Sequence, residues 1–167
     1  MTVIETTTAR TRRPDVLRAA EGLLARHSIT ALRISVGLIF LGFGALKFIP
    51  GASPAEAIAQ RTVDLLTFGI VSGSPAVLMT GVVETTVGVL LVTGVALRVG
   101  LVLLAGALAG IMSPLVLFPG DLFDGMAPTL EAQYILKNIV VACAGMVVAA
   151  SALGARYVAS CTNEAAV

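Results

Sequence analysis

The stretch Ala31–Ile49, ALRISVGLIFLGFGALKFI, is apolar enough to cross a bilayer, yet it carries Arg33 near one end and Lys47 near the other. Within it Arg33, Gly37, Phe40, Gly44 and Lys47 recur at intervals of four, three, four and three, which sets all five on one stripe of a helix. Such a stripe belongs against protein. A charge at the bilayer centre costs about 2.5–3.5 kcal/mol on insertion scales, so it persists where it meets a partner, a cavity or a ligand. The two glycines remove side-chain bulk and let a neighbouring helix approach between the charges. Arg33, near the inner boundary, is suited to phosphate or helix ends.

Working outward, three more apolar runs follow at Ala76–Ala96, Val99–Phe118 and Gln133–Ala155. Each approaches the ~20 residues a helix needs to cross a membrane. With 57% hydrophobic and only 13% charged residues, the 167-residue chain is too apolar for one soluble core. Lipid offers no hydrogen bonds to backbone groups, and alternating polar and apolar strands are absent, so the runs must be helices. The fold class is all-α: an integral membrane four-helix bundle. Residues 1–28 form an N-terminal segment, 29–157 a four-span membrane domain, and 158–167 a tail.

The arginines orient it. Arg10, Arg12, Arg13, Arg18 and Arg26 precede the first span, Arg98 lies in the second connection and Arg156 follows the last span. The other two connections carry Glu56, Arg61 and Asp64, and Asp121, Asp124 and Glu131. Basic residues collect on the cytoplasmic side of short loops, so both termini are expected in the cytoplasm and the protein in the cell (inner) membrane. The net charge of +1, with no compact basic patch, argues against nucleic acid as a partner.

The polar, Thr-rich start lacks the short apolar core and small-residue cleavage site of a secretory signal. From Pro14 to His27, Val16, Leu17, Ala20, Leu23 and Leu24 recur at helical spacing, which predicts an amphipathic helix on the cytoplasmic surface, preceded by disordered residues. In the first outer connection, Ser53, Pro54 and Glu56 predict a capping box. A short interfacial helix that lids the outer end of the bundle is expected there, with Ile58, Leu65 and Leu66 toward the membrane and Gln60, Arg61 and Asp64 in water. The second outer connection, containing Pro119, Gly120, Gly125 and Pro128, reads as a loop.

Glu84 repeats the pattern of the first span: Gly81, Glu84 and Gly88 share one helix face. It lies roughly 12 Å inside the outer end of its span. Lys47 and Lys137 lie closer to that boundary, so a Lys47, Glu84, Lys137 cluster in the outer half of the bundle is geometrically reasonable. The alternative is structural: lysines at span ends snorkel, and an ion pair can serve only to set helix register. These are the only two lysines, beside nine arginines, and lysine is the cation whose charge is most easily tuned by burial. In the third span, Gly106-x-x-x-Gly110 suits helix packing between protomers of a homo-oligomer, and Pro114 predicts a kink.

Other chemistries find little support. Cys143 and Cys161 are about 27 Å apart along a continuous helix and form no Cys-x-x-Cys motif, which argues against a thiol-disulfide enzyme. The only histidine, His27, has no acidic or thiol neighbour at ligand spacing, so no metal site is expected.

The string Arg33 to Phe48, the Glu84-x-x-x-Gly88 of the second span and Tyr134-Ile-Leu-Lys137-Asn138 opening the fourth resemble the DoxX-like superfamily of four-helix membrane proteins. Phe43-Gly-Ala-Leu-Lys47-Phe, then Pro50 and an amphipathic insertion, is most similar to its YkgB-like branch, which includes reactive chlorine resistance proteins of the inner membrane. The resemblance covers about residues 30 to 155. It implies a four-helix bundle with cytoplasmic termini and a quinone-linked or oxidative-stress role. The chain departs from the branch at Asn138, where an acid usually follows the lysine; Lys137 is then expected to depend on Glu84.

Three functions remain open. The cluster, with Asn138 and Arg33 as further candidates, binds a quinone or similar polar-headed lipid-soluble molecule, a lysine donating to a carbonyl and Glu84 relaying a proton. Alternatively the protein is a non-catalytic anchor for a redox protein partner, or a small transporter component. No catalytic motif supports an enzyme acting alone.

Overall fold

The computed structural model describes residues 15–53 and 55–155. The first fourteen residues, Pro54, and the residues from Arg156 onward, with the expected tail and Cys161, lie outside the described residues.

Helix α1 runs unbroken from Asp15 to Leu46. The separate surface helix expected before the first span is therefore its continuation: no proline falls between Val16 and Leu46, so nothing interrupts the hydrogen-bond ladder. Its 32 residues measure about 48 Å against a hydrocarbon layer of about 30 Å, so one end must project from the bilayer. At the other end Lys47, Phe48 and Ile49 close the helix with tighter bonds to Gly44, Ala45 and Leu46. Pro50 follows, and Gly51 takes a left-handed φ of 73°.

Helix α2, Glu56–Leu66, is the short helix expected after the first span, but without the capping box. Its N-cap is Ala55, and Glu56 instead accepts from the Gly51 backbone N–H at 3.0 Å. Ile58, Thr62 and Val63 are buried, whereas Leu65 and Leu66 are exposed.

The second span is α3, Gly73–Thr93, stopped by Gly94 in the left-handed conformation at φ 75°. The third combines α4, Leu97–Met112, with one further turn, α5, Pro114–Leu117. Pro114 has no N–H to give the Gly110 carbonyl. The Ser113 hydroxyl donates to that carbonyl at 2.7 Å, so the proline does not leave it orphaned in the membrane. The connection between the third and fourth spans is more ordered than the expected loop: a turn of helix, α6, Pro119–Leu122, leads into a two-residue hairpin pairing β1, Phe123–Asp124, with β2, Ala127–Pro128. The fourth span comprises α7, Leu130–Leu136, and α8, Asn138–Ala152. Thr129 caps α7 by accepting from the Ala132 N–H at 3.3 Å, which starts this span three residues before the expected Gln133.

The chain is thus mostly helical, with four helices long and apolar enough to span a membrane. Helix α1 packs on α3, α3 on α4, α4 on α8 and α8 back on α1, a closed bundle of sequential neighbours. Its mid-core is Val36, Phe40, Val87, Leu91, Leu104, Leu108 and Val141. A second apolar cluster, Ile58, Leu122, Ala132 and Ile135, ties α2 to α6 and α7 at one end.

Candidate functional site

The site is built on the contact between α1 and α3. Gly37 and Gly44 on one helix, and Gly81 and Gly88 on the other, are each seven residues apart, a spacing that keeps one antiparallel seam in register. The seam is backbone against backbone. A Cβ on Gly88 would stand 2.6 Å from the Leu41 nitrogen and 2.8 Å from the Gly37 carbonyl oxygen. One on Gly44 would meet the Thr85 nitrogen at 2.7 Å.

This approach determines where the charges go. A Cβ on Gly81 would lie 3.0 Å from the Lys47 Cβ, so the lysine stem leaves α1 directly over α3. One helical turn along, Glu84 receives it: Lys47 Nζ donates to Glu84 Oε2 at 2.6 Å, and both side chains are nearly buried.

Lys137 does not join the pair, contrary to the expectation that it depends on Glu84. Its ammonium stands 3.9 Å from the centre of the Phe43 ring and 4.5 Å from that of Tyr134. A cation gains from aromatic faces, so two rings take the place expected of the carboxylate. Tyr134, three residues before Lys137, is a signal visible in the sequence, whereas Phe43 comes from a different helix and no local spacing pointed to it.

The pair and the separate cation nevertheless line one cavity of about 300 Å3. Its walls are Phe43 and Lys47 from α1, Thr80 and Glu84 from α3, Ala107, Gly110 and Ile111 from α4, and Ile135, Lys137 and Asn138 from the fourth span. Helix α2, the short helix expected after the first span, covers it with Ile58, Thr62 and Val63. Leu66, Met79, Tyr134 and Lys137 line the same cavity and are exposed, which places them at its mouth. The hydroxyls of Thr62 and Thr80 donate to carbonyls of their own helices, and Asn138 donates its amide to Tyr134 and Ile135. Charge in the cavity therefore resides on Lys47, Glu84 and Lys137.

The remaining candidates lie apart. The Arg33 guanidinium abuts Gly94, at the C-terminal end of α3, where a cation complements the helix dipole. Gly106 has open space beside it, and Gly110, also without a close neighbour, faces the cavity. Neither is a packing contact within the chain. His27 and Cys143 are exposed on α1 and α8, and among the described residues no group of three His, Cys, Asp or Glu side chains could hold a metal.

No family model, curated protein or solved structure matches the chain.

Proposed function

We propose that this is a DoxX-like membrane protein of the YkgB-like type that binds a quinone, or a similar polar-headed lipid-soluble molecule, in the cavity beneath α2. The observation that carries the reading is the cavity itself: apolar walls carrying three ionisable groups, the composition expected of a small-molecule site. In this role Lys137 donates to a carbonyl oxygen of the headgroup. Glu84, held by Lys47, is the group able to exchange a proton with it. The protein sits in the inner membrane with both termini in the cytoplasm and serves defence against oxidants such as reactive chlorine.

A second reading, a membrane anchor for a redox protein, is favoured by one feature. The projecting part of α1 exposes Val16, Leu17, Leu23 and Leu24, which suits a partner helix. Purification in mild detergent with mass spectrometry of retained small molecules and proteins separates the two. A retained quinone is the expected result; a stoichiometric oxidoreductase with an empty cavity would replace the first reading by the second.

A further inference from the structure

The cavity is not electrically balanced. Lys47 and Glu84 neutralise one another at 2.6 Å, but Lys137 has only aromatic rings beside it, and no described acidic residue other than Glu84 lines the cavity. The walls thus hold two cations and one anion, a net charge of +1. Phe43 joins the two lysines: its ring carries the Lys137 ammonium, and one turn further along α1 stands Lys47, about 6 Å away along the axis. Asn138, the side chain next to Lys137, offers no negative charge and has its amide committed to carbonyls of α7. Lys137 is exposed at the cavity's edge, within a span and without a counter-charge beside it, and an anion delivered with the ligand completes such a cation best.

We propose that the ligand is an acid: an amphiphile whose single anionic headgroup pairs with Lys137, its apolar tail lying along α2 and α4 and leaving between Met79 and Leu66. This deepens the preceding reading and rests on the cavity being a ligand site. The chemistry recognised is one delocalised negative charge on oxygen, carried by either a long-chain carboxylate or an ionised hydroxyquinone. A neutral quinone lacks it. Lys137 is a headgroup-binding residue, while the Lys47–Glu84 pair maintains the site's remaining charge balance.

The test uses the full chain in an uncharged detergent, at a pH where the acids are ionised. Four probes are titrated: palmitate and its methyl ester, and an alkyl hydroxynaphthoquinone and its methyl ether. For the native chain the better acid should bind about ten- to a hundredfold tighter than its own neutral ether or ester, the ratio expected of one charge-assisted hydrogen bond. Whichever acid shows the larger ratio identifies the source of the charge. Lys137→Met should bring each acid down to its neutral counterpart, and Lys137→Arg should retain the preference. Equal binding of acids and neutral probes to the native chain overturns the charge selection, while leaving the cavity as a site for neutral molecules. If no probe binds, or if Ala59→Trp, which fills the cavity, leaves binding unchanged, the cavity is not the ligand site and both readings fail. The comparison on the native chain decides the matter even if the Lys137 variants do not fold.

Discussion

At the residue scale, the main energetic question is which lysine Glu84 depends on. Removing one partner of a buried pair costs about 3–5 kcal/mol, whereas replacing both by groups of similar volume is close to neutral. Glu84→Gln should therefore destabilise the protein in detergent, and adding Lys47→Met should recover most of the loss. Adding Lys137→Met should not: with rings for neighbours, its effect should add to that of Glu84→Gln within about 0.5 kcal/mol in a double-mutant cycle. Coupling to Lys137 as strong as that to Lys47 would contradict the geometry. Thr85 offers a second test. Its hydroxyl is buried against Gly44 with no hydrogen-bond partner, and an unsatisfied polar group costs about 1–3 kcal/mol. Thr85→Val should raise the melting temperature.

At the element scale, the glycine seam between α1 and α3 positions everything else. An alanine at Gly88 would press on backbone atoms of Leu41 and Gly37, which cannot swing away as a side chain can. Gly88→Ala should cost about 1–3 kcal/mol by overpacking. Gly106→Ala, on an open face of α4, should be neutral or slightly stabilising, because alanine is the better helix former by about 1 kcal/mol. Equal responses would show that the seam is not a contact. Spacing made all four seam glycines legible in advance. Gly106 and Gly110, expected at a contact between protomers, have no helix opposite them within the chain, where a small-x-x-x-small pattern looks the same as in the seam.

At the scale of the whole molecule, α2 closes one end of the bundle. Two kinds of contact hold it: the exposed ion pair of Arg61 with Asp121, with the guanidinium over Phe118, and the buried Ile58 among Leu122, Ala132 and Ile135. An exposed pair is worth about 0–1 kcal/mol, against about 2–5 for truncating a buried isoleucine. Ile58→Ala should therefore speed hydrogen exchange across α2 far more than Arg61→Ala does. The same contacts put α2 and the hairpin at one end of the bundle. Cysteines replacing Ser53 and Ala127, in a Cys143→Ser, Cys161→Ser background, should both react with an impermeant thiol reagent in intact cells, while one replacing Arg98 should stay silent. Labelling of the Arg98 position alone would invert the orientation.

The sequence by itself determined the number of spans, their helical nature and the seam, because each follows from local quantities: run length against bilayer thickness, and the period of small residues along a helix. It also singled out Lys47, Glu84 and Lys137, since charge inside an apolar run is visible without any fold. Which of them pair was decided only by the tertiary structure. The crossing of α1 over Gly81 aims the Lys47 stem at Glu84, whereas the fourth span sets Lys137 over rings from two different helices. The cavity belongs to the same category. It exists because α2, anchored at Ile58 to residues from Leu122 to Ile135, roofs the space between spans, a long-range arrangement that no local pattern encodes.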